Sequence, residues 1–204
     1  MAKIYLISPE KFELKDFSIQ LSQALKTGLV PVFQLRLKGY ENSEVLKISK
    51  ELQKICFDNN CLFILNDYYK IALEIGASGV HVGQEDSSIS QIRKISDPNF
   101  IIGASCYDSR DSALQATQDG ANYISFGTFF ESKTKNSKGK PTTEILKWAN
   151  EMLDLPITAI GGINNENCKE LISAGADLIA VVSYVWQNEN GVEFALKKLA
   201  DACK

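Results

Sequence analysis

Histidine is nearly absent: His81 is the only one among 204 residues. A metal site built from several imidazoles is therefore excluded, and a Ser-His-Asp triad has little support. A lone histidine on an apolar strand reads as structural. Cysteine is sparse as well. Cys56, Cys61, Cys106, Cys168 and Cys203 are odd in number and form no C-x-x-C pair. That spacing argues against a disulfide framework or a zinc site and leaves reduced thiols as the expectation. Excess positive charge is missing too. The net charge of -3 excludes general affinity for nucleic acid or an anionic membrane, so any basic cluster is local and suited to a small anion. No apolar run approaches the ~20 residues that span a bilayer. Met1-Ala2-Lys3-Ile4 enters a strand pattern at once, without the features of a signal peptide. A cytoplasmic protein with small-molecule partners is expected, with no nucleic acid and no membrane; a homo-oligomer is possible.

What is present is an alternation. Hydrophobic residues make up 45% of the chain, enough for one substantial core in one domain spanning 1–204. Short apolar runs at Ile4–Ile7, Val30–Leu37, Leu62–Leu65, Gly79–Gly83, Phe100–Ala104, Tyr123–Phe126, Ile157–Ile160 and Leu178–Val182 read as strands. Stretches of helical spacing separate them, among them Phe17–Thr27, a helix capped by Asn42 or Ser43, and Val192–Ala200. Eight strand–helix units in one chain predict an α/β fold, a single-domain (β/α)8 TIM barrel, with a doubly wound open sheet as the alternative. Ile75-Gly76-Ala77-Ser78-Gly79-Val80, Asp119-Gly120-Ala121-Asn122-Tyr123-Ile124 and Ala174-Gly175-Ala176-Asp177-Leu178-Ile179 are near-copies, each a helix end, a Gly, Ala, a polar residue and a strand.

The second strand carries an anomaly. Gln34, Arg36 and Lys38 alternate with Phe33, Leu35 and Leu37, so three polar side chains share one face. On an edge strand that face is simply wet; inside a parallel sheet its charges need partners. Barrel active sites lie at the C-terminal strand ends. Those ends hold Ser8, the Gln34-Arg36-Lys38 stripe, Asn66-Asp67, Gln84-Glu85-Asp86, Ser105, the Ser132–Lys138 loop, Gly161-Gly162 and Ser183. Three groups stand out. Arg36, Lys38 and Lys135 suit phosphate oxygens, although any one lysine by itself is more often a solvated surface charge. Asp67 and Asp86 suit Mg2+ beside phosphates, or cap helices. Gly161-Gly162 with Val182-Ser183 suits a phosphate held by backbone N–H groups, or ordinary turns.

Seven segments in this order resemble the thiamine-phosphate synthase family: Gln34-Leu35-Arg36-Leu37-Lys38, Asn66-Asp67, Gly79 to Asp86, Ile102-Gly103-Ala104-Ser105, Gly127 to Lys135, Ala159 to Ile163, and Val181-Val182-Ser183. The resemblance implies a (β/α)8 barrel that joins 4-amino-2-methyl-5-hydroxymethylpyrimidine diphosphate to 4-methyl-5-(2-phosphoethyl)thiazole. The products would be thiamine phosphate and pyrophosphate, formed by dissociative loss of the diphosphate. It implies that the segment Gln34, Leu35, Arg36, Leu37 and Lys38 binds substrate, with Gln34 on the pyrimidine. Arg36, Lys38, Asn66 and Lys135 would hold the diphosphate, and Ser105 would contact the pyrimidine substrate. Asp67 and Asp86 would bind the cofactor Mg2+. Ser132, Lys133, Thr134 and Lys135 would lie on the thiazole-phosphate loop, facing Gly162, Val182 and Ser183. Arg36, Lys38, Ser105 and Lys135 would carry catalysis.

Four departures stand against that pattern. Ser132 replaces a frequent Thr, Tyr68 replaces a frequent Arg, Cys106-Tyr107 follows Ser105, and Gly127-Thr128-Phe129-Phe130 is an unusual start to the loop. Related thiazole tautomerases use a His near positions 106–107, where this chain has none. The alternatives are a tautomerase-like paralogue and a non-catalytic thiamine-phosphate-binding protein. The polar loop from Thr128 to Lys140 reads as a lid over both substrates.

Overall fold

A computed structural model of the chain describes residues 1–84, 86–131 and 140–204. Eight parallel strands close into a barrel in sequence order: β1 (Lys3–Ile7), β2 (Val32–Leu35), β3 (Leu62–Asn66), β4 (Gly79–Val82), β5 (Ile101–Tyr107), β6 (Tyr123–Phe126), β7 (Ile157–Ile160) and β8 (Leu178–Val181). β8 pairs back onto β1, with Leu6 opposite Val181, so the open-sheet alternative is excluded. The helices among the described residues are α1 (Leu14–Lys26), α2 (Asn42–Asp58), α3 (Tyr69–Glu74), α4 (Ile89–Ile95), α5 (Arg110–Gln118), α6 (Thr143–Met152), α7 (Cys168–Ser173), α8 (Ser183–Trp186) and α9 (Val192–Ala202). None is long and apolar enough to cross a membrane.

Strand alternation sorts the side chains into two populations. Ile4, Leu6, Phe33, Leu35, Phe63, Leu65, Val80 and Ile102 pack outward against the helices in the main core. Tyr5, Ile7, Tyr123 and Ala180 form a separate cluster inside the barrel. The inner surface is unusually polar: Gln34, Asn66, His81, Ser125 and Thr158 are all buried there. Buried polar groups need partners, so this lining is where the fold's tolerance for function is concentrated.

The threefold near-copy has a common structural basis. Gly76, Gly120 and Gly175 all take positive φ (64°, 94° and 110°) just past a helix end. The following N–H reaches back five residues in each case: Ala77 to Ala72, Ala121 to Ala116 and Ala176 to Leu171. This is the Schellman closure that satisfies orphan helix carbonyls. The polar residue that follows then accepts an N–H from the preceding strand. Ser78 Oγ takes Phe63 N, Asn122 Oδ1 takes Ile102 N, and Asp177 Oδ2 takes Ile157 N, at 2.8–3.0 Å. One short phrase therefore ends a helix and clamps the bottom of two strands.

Among the differences from expectation, three bear on the second strand, its helix and the end of the barrel. The β2 ladder stops at Leu35, not Leu37, so Arg36 and Lys38 extend beyond it. The cap of α2 is a capping box of Glu41 and Glu44, not Asn42 or Ser43. A one-turn helix, α8, follows β8 directly, where the sequence pattern showed only the terminal helix.

Candidate active site

The C-terminal ends of the strands surround a cavity of about 810 Å³. Past Leu35 the chain keeps its alternation because β1 holds it. Ser8 N donates to Gln34 O at 2.9 Å, and Arg36 N donates to Ser8 Oγ at 2.9 Å. Gln34, Arg36 and Lys38 therefore all line the cavity. Leu35 and Leu37 do not: both are fully buried in the outer core, so the expectation that they bind substrate is corrected for their side chains. The alternation that aims the cations inward aims these two leucines at the helices.

Each cation already faces a carboxylate. Arg36 pairs with Glu10, on the segment between β1 and α1, and Lys38 pairs with Asp67. Asp67 sits directly after β3 at φ 67°, in the left-handed region, held by its N–H bond to His81 O at 2.9 Å. Such conformations persist only where the surroundings fix them, and they gather at functional sites. Asp86 Oδ2 accepts the Gly83 N–H at 2.8 Å. A Cβ on Gly83 would lie 2.8 Å from that oxygen, so a side chain there would shift the carboxylate. Burial pushes the Asp67 carboxyl above the ordinary carboxylate range, the Lys38 ammonium opposes this, and the neighbouring Asp86 carboxyl adds to it. A carboxyl raised by burial and by a neighbouring carboxyl, even with an ammonium beside it, has room for further positive charge.

A hydrogen-bonded chain forms the cavity floor. Gln34 Nε2 donates to Tyr5 OH at 3.0 Å, and Tyr5 OH meets Tyr123 OH at 2.6 Å. Tyr123 OH meets His81 Nδ1 at 2.9 Å, and His81 Nε2 meets Ser105 Oγ at 2.8 Å. Burial pushes the imidazole down to about 4; the Asp86 charge resists this and the Arg36 charge assists it. His81 is thus a neutral ring at physiological pH, with both nitrogens engaged. It is structural, as its strand position suggested, but it also reaches Ser105. Ser105 itself lies within β5, beside a shift in the β5–β6 register, and Tyr107 beyond it stands at the rim with φ 53°.

The far wall is backbone. Gly161 and Gly162 have φ of 108° and 62°. The start of the β6 loop lies on them: Phe129 N donates to Ile160 O and Phe130 N to Gly161 O, both at 3.1 Å. A Cβ on Gly161 would fall 2.3 Å from Thr128 Cβ, and one on Gly162 would fall 2.6 Å from Glu131 O. Val182 and Ser183 open α8 on the same wall, and Trp186 Nε1 ties that helix to Ile7 O at 2.6 Å.

The cavity thus brings together Gln34, Arg36, Lys38, Asn66, Asp67, Asp86, Ser105, Gly162, Val182 and Ser183. Ser132, Lys133, Thr134, Lys135 and Lys138 lie outside the described residues, as does most of the expected lid. Sequence reasoning missed Glu10, Tyr5, Tyr123, Ser125 and Thr158, all on or under this cavity. For the strand residues a signal existed. Each has the inward parity of its strand, set by the partners Ile7 and Gln34, Gly103 and Tyr123, and Ser125 and Thr158.

Comparison with known proteins bears on the family and the fold. Residues 4–185 match the family model described as thiamine monophosphate synthase. The chain is 40% identical over 189 residues to a thiamine-phosphate synthase of Rhodospirillum centenum, covering 93% of this chain and 91% of that one. It is 40% identical over 192 residues to one from Erythrobacter litoralis, covering 92% and 89%. The solved thiamine phosphate pyrophosphorylase of Pyrococcus furiosus superposes with a TM-score of 0.84 at 33% identity, over 98% of this chain and 95% of that one. With a barrel of the same course and a match along nearly its whole length, this chain belongs to the thiamine monophosphate synthase family.

Proposed function

We propose that the chain is a transferase that condenses 4-amino-2-methyl-5-hydroxymethylpyrimidine diphosphate with 4-methyl-5-(2-phosphoethyl)thiazole, giving thiamine phosphate and pyrophosphate. The observation that carries the reading is the division of one cavity into a charged rim and a backbone wall. Arg36, Lys38, Asp67 and Asp86 stand on one side; Gly162, Val182 and Ser183 stand on the other. A diphosphate and a monophosphate ester have somewhere distinct to go.

Arg36 and Lys38 take the diphosphate oxygens, with Asn66 beside them. When the carbon–oxygen bond to the diphosphate breaks, negative charge grows on the leaving oxygen, and cations fixed in advance lower that barrier. Glu10 and Asp67 keep the two cations paired until then. The pyrimidine is left as a cation, with Gln34 and Ser105 holding its ring. The thiazole, anchored by its phosphate on the N–H groups of Gly162, Val182 and Ser183, turns its nitrogen to that carbon and closes the new bond.

Asp67 and Asp86 fit Mg2+. No cluster of three or more protein ligands occurs among the described residues, and magnesium typically takes one or two carboxylates together with substrate phosphates. Burial and the neighbouring Asp86 carboxyl raise the proton affinity of Asp67 although Lys38 opposes them, so a further cation there would be welcome. Bound there, Mg2+ would neutralise charge on the departing diphosphate. A cytoplasmic location goes with the reading, since both substrates are charged phosphate esters that do not cross a bilayer unaided. The tautomerase alternative lacks a histidine base: the one imidazole is buried, neutral and bonded through both nitrogens.

The test is direct. Purified protein, both phosphorylated substrates and Mg2+ should yield thiamine phosphate and pyrophosphate in equal amounts. Absence of product from folded protein overturns the proposal.

A further inference from the structure

The floor chain has a direction. Gln34 Nε2 donates to the Tyr5 oxygen. A phenol carries one proton, so the Tyr5 proton goes to its remaining partner, Tyr123. The Tyr123 proton then goes to His81 Nδ1. An accepting Nδ1 places the ring proton on Nε2, which donates to Ser105 Oγ. The Ser105 hydroxyl proton is left free for the cavity.

The other arrangement that satisfies every link and leaves no buried phenol proton without a partner in the chain is the full reversal. The Gln34 amide turns over, the ring proton moves to Nδ1, and Ser105 donates inward, presenting only an acceptor outward. Any mixed state either leaves a buried phenol proton without a partner in the chain or sets two lone pairs against each other, which is costly. Tyr5, Tyr123 and His81 are all buried.

The fold makes room for this chain at a second, independent point. Gly103 pairs with Tyr123 across β5 and β6. A Cβ there would lie 2.0 Å from Tyr123 Cζ and 2.3 Å from its hydroxyl oxygen. The position opposite the phenol must stay bare for the middle link to exist.

We infer that Tyr5, Tyr123 and His81 are positioning residues that lock the amide orientation of Gln34 to the hydroxyl direction of Ser105. This rests on the reading that Gln34 and Ser105 hold the pyrimidine. In the state that follows from Gln34 Nε2 donating to Tyr5, Gln34 Oε1 is left to accept and Ser105 to donate. That pair complements a ring amino group beside a ring nitrogen. An oxo-pyrimidine presents the opposite pattern, an acceptor beside an N–H, and would need the whole chain reversed. The chain is therefore a specificity device: it turns two independent contacts into one recognition of an amino-substituted ring.

The single histidine makes the test clean. In protein labelled with 15N-histidine and free of substrate, His81 should show one neutral tautomer at neutral pH, with its proton on Nε2. Tyr123→Phe, or Tyr5→Phe should the first not fold, should release that lock and give averaged tautomers. In turnover, the variant should raise KM for the amino-pyrimidine diphosphate about three- to tenfold, the worth of one neutral hydrogen bond. KM for the thiazole phosphate should stay within about twofold, and discrimination against the oxo-pyrimidine analogue should fall. A wild-type ring protonated on Nδ1, or averaging between tautomers, overturns the inference without any assay of activity. A locked ring in wild type with unchanged pyrimidine KM and discrimination in the variant overturns its link to substrate. Failure of the wild-type protein to make thiamine phosphate would instead count against the proposed reaction and leave the tautomer result standing.

Discussion

Lowering pH should weaken the fold through His81 alone among histidines, and the size and sign of the effect follow from its burial. His81 is 7% exposed, and its pKa falls from the ordinary 6.5 to about 4. In the unfolded chain the imidazole binds a proton as pH drops through 6.5; in the folded chain it does not until about 4. Between those values the unfolded state holds more protons, so stability rises with pH across that window. At about 1.4 kcal/mol per pH unit, the loss from neutral pH down to about 4 comes to about 3 kcal/mol. Asp67 acts in the opposite sense. Its raised carboxyl binds a proton in the folded state before the unfolded chain does, so protonation there favours folding as pH falls. Urea unfolding of metal-free protein between pH 4.5 and 7.5 should therefore be repeated with His81→Gln and with Asp67→Asn. Wild type should lose stability on acidification, His81→Gln should lose markedly less, and Asp67→Asn should lose more. The opposing possibility is specific. Were the Asp86 charge to outweigh burial, the folded ring would bind its proton more tightly than the unfolded one, and wild type would gain stability toward pH 5 relative to His81→Gln. That result would refute the burial argument.

Other perturbations bear on the rim and the floor. Arg36→Ala should reduce the condensation rate at least about tenfold, since a charge-assisted contact is worth about 1.5–3 kcal/mol; a change confined to thiazole-phosphate affinity would place Arg36 elsewhere. Asp86→Ala should raise the magnesium concentration needed for half-maximal rate by about tenfold or more, read from a titration of initial rates. Thr158 is buried, and its Oγ1 finds no hydrogen-bond partner among the described residues; Thr158→Val should therefore stabilise the fold by about 1 kcal/mol, seen as a higher urea midpoint at unchanged slope. Gly103→Ala should cost about 1–3 kcal/mol by displacing Tyr123, measured the same way.

The parts of this fold that were legible are those written locally. Eight apolar runs spaced by helical patterns carry the barrel, because each strand and helix announces itself within its own residues. The Gly-Ala-polar phrase was visible as a repeat for the same reason. Its second half was not: the bond from Ser78, Asn122 or Asp177 to the previous strand spans 15 to 20 residues and depends on pairing. The end of β2 was misjudged because alternation outlasts the ladder. Leu37 stays buried two residues after pairing stops, held by the Ser8 contacts of a neighbouring strand. The rim residues were legible only through combination. Asp67 reads as a cap, Lys38 as a surface charge and Gly162 as a turn until a closed barrel gives them one cavity.

The floor was hidden for a deeper reason. Tyrosine is a common strand residue, so Tyr5 and Tyr123 look like ordinary packing. They are 118 positions apart and meet only because β1 closes the barrel through β8 while β6 carries Tyr123 across its interior. Yet the stripe that first looked anomalous contained the rule needed to find them. Once Gln34 and Arg36 face the axis, the paired registers carry that facing around the barrel. It passes from Gln34 to Ile7 on β1, whose inward neighbour two residues back is Tyr5, and from Gln34 to Ile64 on β3. Asn66, two beyond Ile64, pairs with His81, His81 with Gly103, and Gly103 with Tyr123. An inward glutamine in a parallel barrel cannot be left alone, because an unpaired amide in the interior costs more than a hydrogen bond returns. Its partner has to be another inward polar group at nearly the same height. The charged stripe on β2 and the neutral chain beneath it are thus consequences of one orientation: the outer half of the strand's inward face meets charge at the rim, and the inner half meets a hydroxyl.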